Sequence, residues 1–305
     1  MYGTMNTMQM RNDPTYHVLG VPLRTGSLYP GSENDAQAFR DARLLQRLEA
    51  AGVRVFDEGD VAIPSYLPHH NIPPIKNWPG PRIAWDCVSE RVVPYLKQPG
   101  HIPLLIGADC SVVVGTAQAL TQAYGEDVHI LYVDGDIDGV APQPGRCMSA
   151  AGMALWLITQ ASPFWAGPTL NPSRITVIGW SDDLHSPEMG LRSLPLAELR
   201  RLGPGEAARQ ALQAIPDSAS ILLHFDIDVL SKQDMPAAYF PHTDGLSMTE
   251  ARELLAALLS DPRIRIIEVA EYASLRDLDQ SYASAIVELL AAALKRPGHL
   301  HTNGS

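Results

Sequence analysis

Two short acidic runs constrain this chain more than any other feature: Asp134-Gly135-Asp136-Ile137-Asp138 and His224-Phe225-Asp226-Ile227-Asp228. Each follows an apolar stretch, residues 130–133 and 221–223, with the composition of a buried strand. Residues two apart on a strand share a face, so each run can aim its carboxylates at one point. In an open parallel sheet the carboxyl ends of the strands form the floor of the ligand crevice. Five aspartates meeting there repel one another unless cations sit among them. One such run is ordinary loop chemistry. Two, each after a strand and separated by helical sequence, point to a metal site.

The rest of the chain repeats the same rhythm. Strand-like stretches at 16–21, 53–56, 102–106, 128–133, 175–178, 221–225 and 264–269 alternate with helical spacing at 36–51, 83–96, 117–124, 150–160, 206–215, 249–259 and 282–295. Two loops stand out, a Gly/Ser/Pro segment at 26–34 and a Pro-rich one at 64–82. Alternation of this kind predicts an α/β fold, three layers α/β/α around a mostly parallel central sheet. No composition break or repeat divides the chain, so residues 1–305 are expected to form one domain, with 1–14 and 297–305 as frayed ends.

A formal charge of -11 argues against nucleic acid or an anionic membrane as partner, since both need basic patches. No apolar run reaches about 18 residues, so no membrane-spanning helix is expected. The N-terminal residues lack the apolar core of a signal peptide. Three cysteines, Cys87, Cys110 and Cys147, imply no disulfide framework and suggest a reducing, cytoplasmic setting. Cys87 reads as a core thiol, and Cys147 as a small residue or a reactive thiol near the pocket. His69 and His70 read as a pocket-rim feature, and Glu268 as part of a strand three residues before Glu271.

With these motifs in place the chain resembles the arginase/agmatinase/formiminoglutamase (ureohydrolase) superfamily from about Val18 to about Leu294. Gly107-Ala108-Asp109-Cys110-Ser111 is similar to the family's Gly-Gly-Asp-His-Ser. The run 134–138 is similar to its Asp-Ala-His-x-Asp, and 224–228 to its Ser-x-Asp-x-Asp. The resemblance implies an arginase-type fold and a metal-dependent hydrolase that cleaves a C–N bond of a linear guanidine or amidine. It implies metal ligands Cys110, Asp134, Asp136, Asp138, Asp226 and Asp228, with Asp134 and Asp226 bridging two ions. Asp138 would also orient the attacking water, and Glu271 would hold the cationic end of the substrate. Cys147 and Ser149, with Asp183 and Glu188 of the 182–188 loop, lie where the family holds the rest of the substrate. Two Mn ions are expected, with Fe, Co or Zn as alternatives, and the partners are a small guanidino or amidino substrate and copies of the chain in a homo-oligomer, trimer or hexamer.

The departures are as informative as the matches. Cys110 and Asp136 stand where the family carries histidine ligands, and Ala151 where it carries a histidine thought to shuttle a proton. Val140 and Leu184 offer no side-chain hydrogen bond to an amino-acid head group. Five aspartates and a thiolate carry −6 against the +4 of two divalent ions, and a buried excess of that size is costly. Either one acid stays protonated, Asp136 turns away, or one ion binds tightly alone. A less positive centre activates water less well. The expected substrate is therefore a modified guanidine such as an N-hydroxyguanidine. The Cys-for-His exchange also resembles a biosynthetic branch that hydrolyses Nω-hydroxyarginine. The competing expectation is a non-catalytic scaffold or regulatory subunit with a decayed metal site.

Overall fold

The computed structural model of the protein describes residues 13–295 apart from 23, 29–30, 32, 65–66, 68–70, 72, 166 and 182–188. In chain order its elements are β1 (Thr15–Val21), α1 (Asp35–Asp41), α2 (Leu44–Ala50), β2 (Arg54–Asp60), α3 (Gly80–Leu96), β3 (His101–Gly107), α4 (Val112–Tyr124) and β4 (Val128–Val133). There follow α5 (Ala154–Thr159), β5 (Ile175–Ile178), β6 (Arg192–Leu194), α6 (Leu196–Leu202), α7 (Pro204–Gln213), β7 (Ser220–Asp226), α8 (Met248–Leu259), β8 (Ile264–Ala270) and α9 (Ser281–Leu294). No described helix is long and apolar enough to cross a membrane.

The strands form one eight-stranded sheet in the order β2-β1-β3-β8-β7-β4-β5-β6. Every pairing is parallel, so the expected mostly parallel sheet is wholly so. Parallel strands buried on both faces are Val/Ile/Leu-rich without alternation, and residues 128–133 and 220–226 are buried throughout. The two faces seed two cores. Val18, Leu104, Leu131, Leu223 and Phe225 pack toward α1, α2 and α6–α9. Leu19, Leu105, Ile130, Tyr132 and Leu222 pack toward α3, α4 and α5. Helices on both faces complete the three layers.

The structure divides the expected helix 36–51 into α1 and α2, with Arg43 in the left-handed region at φ 62°. In one continuous helix Phe39 and Leu44 would lie about 140° apart around the axis. The break lets Phe39, Leu44 and Leu48 all bury completely. The short pair β6 and α6 was not expected: three half-exposed residues before Pro195 carry no strand periodicity. What matters for function is the centre of the sheet, where β3, β8, β7 and β4 are neighbours and their carboxyl ends open on one crevice.

Helices α3 and α4 approach closely at Gly115, where a Cβ would stand 2.5 Å from the Trp85 carbonyl oxygen and 3.0 Å from its Cα. Gly115→Ala gains up to about 1 kcal/mol of helix propensity but forces two backbones apart, at a cost of about 1–3 kcal/mol. Urea denaturation should show a net loss of stability; an unchanged or raised midpoint would mean the helices separate freely.

Candidate metal centre and pocket

Four strand exits build the site. After β3 the chain turns through Gly107 and Ala108, at φ 84° and 73°, and delivers Cys110. After β8 it delivers Glu271, at φ 62°. The two exits are tied together, since Glu271 N donates to Ala108 O at 3.1 Å and Cys110 N donates to Glu271 Oε1 at 3.1 Å. The exits of β4 and β7 are tied likewise. Gly135 N donates to Asp228 Oδ1 at 3.1 Å, Asp136 N to Asp134 Oδ1 at 2.6 Å, and Asp228 N to Asp226 Oδ1 at 2.7 Å. Ala108, Asp138 (φ 51°) and Glu271 are non-glycine residues in the left-handed region. Each costs of order 1–3 kcal/mol, and such strain collects at functional sites.

The acidic groups are buried together. Asp134, Asp226, Asp228, Glu271 and Cys110 are all at most 3% exposed. Burial first, and then the neighbouring carboxylates, push Asp134, Asp138, Asp226 and Glu271 well above the ordinary carboxylate range. Burial also raises the Cys110 thiol, with Asp226 the next cause. The thiol is protonated here and donates to Asp226 Oδ2 at 2.6 Å. Asp228 is raised by burial, an effect that His242 opposes. In return the carboxylates of Asp136 and Asp228 beside His242 push its imidazole up to about 10.

Two sets of donor atoms could each hold a metal ion. One is Cys110, Asp134, His224 and Asp226; the other is Asp136, Asp228 and His242; within each set all atoms lie within 4.8 Å of one another. Three buried atoms at this centre, His224 Nε2, His242 Nε2 and Glu271 Oε2, have no hydrogen-bond partner. An unpaired buried polar atom costs about 1–3 kcal/mol. Crowded anions and orphaned acceptors together fit divalent cations. Asp138 belongs to neither set; its Oδ2 accepts the Tyr132 hydroxyl at 2.7 Å.

Above the centre lies a cavity of about 200 Å³, lined by Cys110, Asp136, Asp138, Asp226, Asp228 and Glu271 on the acidic side. Leu28, Ala151, Gly152 and Phe240 supply apolar wall, and among the described residues Ser149 is the one hydroxyl of the lining. Ser149 Oγ is engaged, donating to Gly26 O at 2.8 Å and accepting from Ala151 N at 3.2 Å. Cys147 is half-buried and does not line the cavity. Val140 is 43% exposed. Asp183 and Glu188, like Asp182, Leu184, His69 and His70, lie outside the described residues.

The sequence reading did not single out His224 and His242 as ligands, nor Leu28 and Phe240 as wall. A signal for His224 exists: at two residues before Asp226 it must share that aspartate's face. His242 has none, since it lies 14 residues beyond Asp228 and reaches the site through a parallel bridge with Ser231.

The sequence profile of the arginase family matches residues 14–295. The chain belongs to the arginase family. Arginase from Bacillus subtilis (strain 168) is 23% identical over 295 residues, 92% of this chain and 98% of that protein. The solved arginase from Bacillus caldovelox superposes with a TM-score of 0.79 at 21% identity, over 93% of this chain and 99% of that one. Formiminoglutamase from Trypanosoma cruzi, solved with Mn2+, gives a TM-score of 0.75 at 21% identity, over 95% of each chain. At these identities the structural likeness carries the arginase fold, while the site must be argued from this chain's own residues.

The raised carboxyls set a stability rule. Their unfolded pKa values lie near about 4. Above that pH the folded metal-free protein holds more protons than the unfolded chain, so its stability falls as pH rises through the folded values. Chelator-treated protein should melt lower at about pH 8 than at about pH 5, and a divalent ion at about pH 8 should restore the loss. A melting temperature that neither pH nor metal moves would contradict the cation reading.

Proposed function

We propose that this arginase-family hydrolase uses two divalent ions to cleave a C–N bond of a small linear guanidine or amidine whose reacting nitrogen is modified, as in an N-hydroxyguanidine. The observation that carries the reading is Glu271. It lines the cavity beside the acidic cluster, and its Oε2 is buried without a hydrogen-bond partner. A planar cation with N–H groups, which is what a guanidinium or amidinium offers, satisfies that atom and its charge together.

Cys110, Asp134 and Asp226 would hold one ion, and Asp136 and Asp228 the other. Bound ions lower the pKa of water and stabilise charge developing on the substrate. Mn suits the carboxylate-rich set. The chain's own residues do the rest. Glu271 orients the cationic end over the cluster. Tyr132 occupies Asp138 Oδ2, which leaves Oδ1, on the Gly152 side, to take a proton from the attacking water. The water oxygen bonds to the central carbon, the C–N bond breaks, and the departing nitrogen carries away the proton from Oδ1.

Two features favour a modified nitrogen. Position 151 carries alanine, which leaves Asp138 Oδ1 to supply the departing nitrogen's proton without help from that position and suits a nitrogen that leaves more readily than an ordinary amine. The wall of Leu28, Phe240, Ala151 and Gly152 gives a charged amino-acid head no partner, and a buried polar group left unpaired costs about 1–3 kcal/mol. The test is a panel of L-arginine, agmatine, N-hydroxyguanidines and N-substituted amidines, each with Mn, Fe, Co and Zn. Turnover of an N-hydroxyguanidine or amidine should exceed that of L-arginine by about tenfold or more. Equal or faster conversion of L-arginine to ornithine and urea would sink the substrate assignment. Asp226→Asn should abolish activity on every substrate.

A further inference from the structure

Neither set of donor atoms draws its imidazole from the motif positions where the family resemblance led us to expect histidine, since those carry Cys110 and Asp136. Each set nevertheless contains one. We propose that His224 Nε2 and His242 Nε2 are metal ligands, one in each set, so that both imidazoles reach the centre from new directions. The proposal rests on the two-ion reading above and names how this chain completes it.

His224 has the form of a prepared ligand. Its side chain is fully buried, and Nδ1 is held by Glu268 Oε2 at 2.7 Å. That bond puts the proton on Nδ1 and leaves Nε2 with a free lone pair, the arrangement in which a carboxylate orients a metal-bound histidine. Nε2 has no hydrogen-bond partner, and a ring nitrogen of His224 lies within 4.8 Å of the donor atoms of Cys110, Asp134 and Asp226; with Nδ1 held by Glu268, Nε2 is the one free to bind. The ring is fixed on its other side too. Tyr132 stacks on it at 4.3 Å with planes 6° apart. Tyr132, His224 and Glu268 are register partners on β4, β7 and β8, so sheet pairing itself aligns the three. Glu268 in turn accepts from the Thr116 hydroxyl on α4. Glu268 touches no reacting atom and is a positioning residue. With one sulfur and one nitrogen, this set suits Zn, Co or Fe better than Mn.

His242 comes from the loop after β7. Its Nε2 is buried 3.4 Å from Asp136 Oδ2 and 3.7 Å from Asp228 Oδ2, close enough to pair with both carboxylates in the metal-free protein though it makes no hydrogen bond to either. Room for it depends on Gly135, where a Cβ would stand 2.6 Å from His242 Cδ2 and 2.9 Å from Asp228 O. The resemblance led us to expect alanine at 135, so the missing methyl and the incoming ring belong together.

The test is anaerobic titration of the metal-free protein with Co2+, followed by absorption. The first equivalent should give a near-ultraviolet thiolate-to-cobalt band with strong visible bands, and the second should add weaker ones. His224→Asn keeps a donor toward Glu268 but has no Nε2. It should weaken the first equivalent by about tenfold or more and shift its visible bands, while the thiolate band persists. Glu268→Gln should weaken the same equivalent and spare the second. His242→Ala and Gly135→Ala should weaken the second by about tenfold or more and spare the first. An unchanged affinity and spectrum in either histidine variant overturns the assignment of that histidine. If His224→Asn does not fold, X-ray absorption of the wild-type protein with one equivalent of Zn decides. A sulfur at about 2.3 Å with an imidazole scattering pattern supports the proposal. A sulfur shell without imidazole overturns it. These readouts measure binding, so a protein that binds as described yet hydrolyses nothing in the panel refutes the proposed function and leaves the ligands standing.

Discussion

The crowding of like charges at the exits of four adjacent parallel strands is the condition on which the rest of this molecule depends. Two unit charges about 4 Å apart interact by about 4 kcal/mol even where the effective dielectric constant is 20. Asp134, Asp226, Asp228 and Glu271 are all buried together, and no lysine or arginine lines the described cavity. A few such repulsions equal the whole stability of an ordinary fold, about 5–15 kcal/mol. The protein must therefore keep protons on these groups or meet them with cations. Only a rigid frame can hold them in place meanwhile. The backbone bond from Glu271 N to Ala108 O and the bond from Gly135 N to the Asp228 carboxylate supply that frame.

Sheet register extends the frame one layer outward. In a parallel sheet, partner residues on neighbouring strands stand side by side on the same face. Tyr132, His224 and Glu268 occupy one such row, directly behind the acidic exits. Each member does two things. Tyr132 stacks on His224 and bonds Asp138; Glu268 holds His224 and receives Thr116. A polar row in the middle of a core is stable only when its bonds are complete. The single atom of the row left open is His224 Nε2, on a residue grouped with Cys110, Asp134 and Asp226.

Much of this was legible beforehand, for identifiable reasons. Strands 128–133 and 175–178 were placed to the residue because strands buried on both faces are bounded runs of large aliphatics. The five aspartates are legible because period-two spacing at a strand exit leaves carboxylates few places to go, whereas Cys110 is legible only through the family resemblance. The division of α1 from α2 was not legible, since Arg43 looks like any helical arginine and the cause lies in where Phe39 and Leu44 must pack. His224 is visible in the motif but carries no ligand assignment there, because the resemblance places the family's histidine ligands at 110 and 136, after β3 and β4. His242 could not have been found, as its approach is decided by the Ser231 bridge and the space over Gly135.

The geometry also says that the departures from the family pattern are not independent losses. A histidine at 136 would bring a second ring to where His242 already stands, 3.4 Å from the Asp136 carboxylate. An alanine at 135 would put a methyl into that ring. On the other side, a histidine at 110 would enlarge a side chain already packed against Ala151 and Ala270, with His224 aimed at the same set. Restoring one family residue at a time therefore adds a clash before it adds a ligand. Small residues at 135 and 151 and imidazoles at 224 and 242 form one solution to packing and charge. Donors arriving from β7 and its following loop leave Ala151 and Gly152 free to widen the cavity beside Asp138.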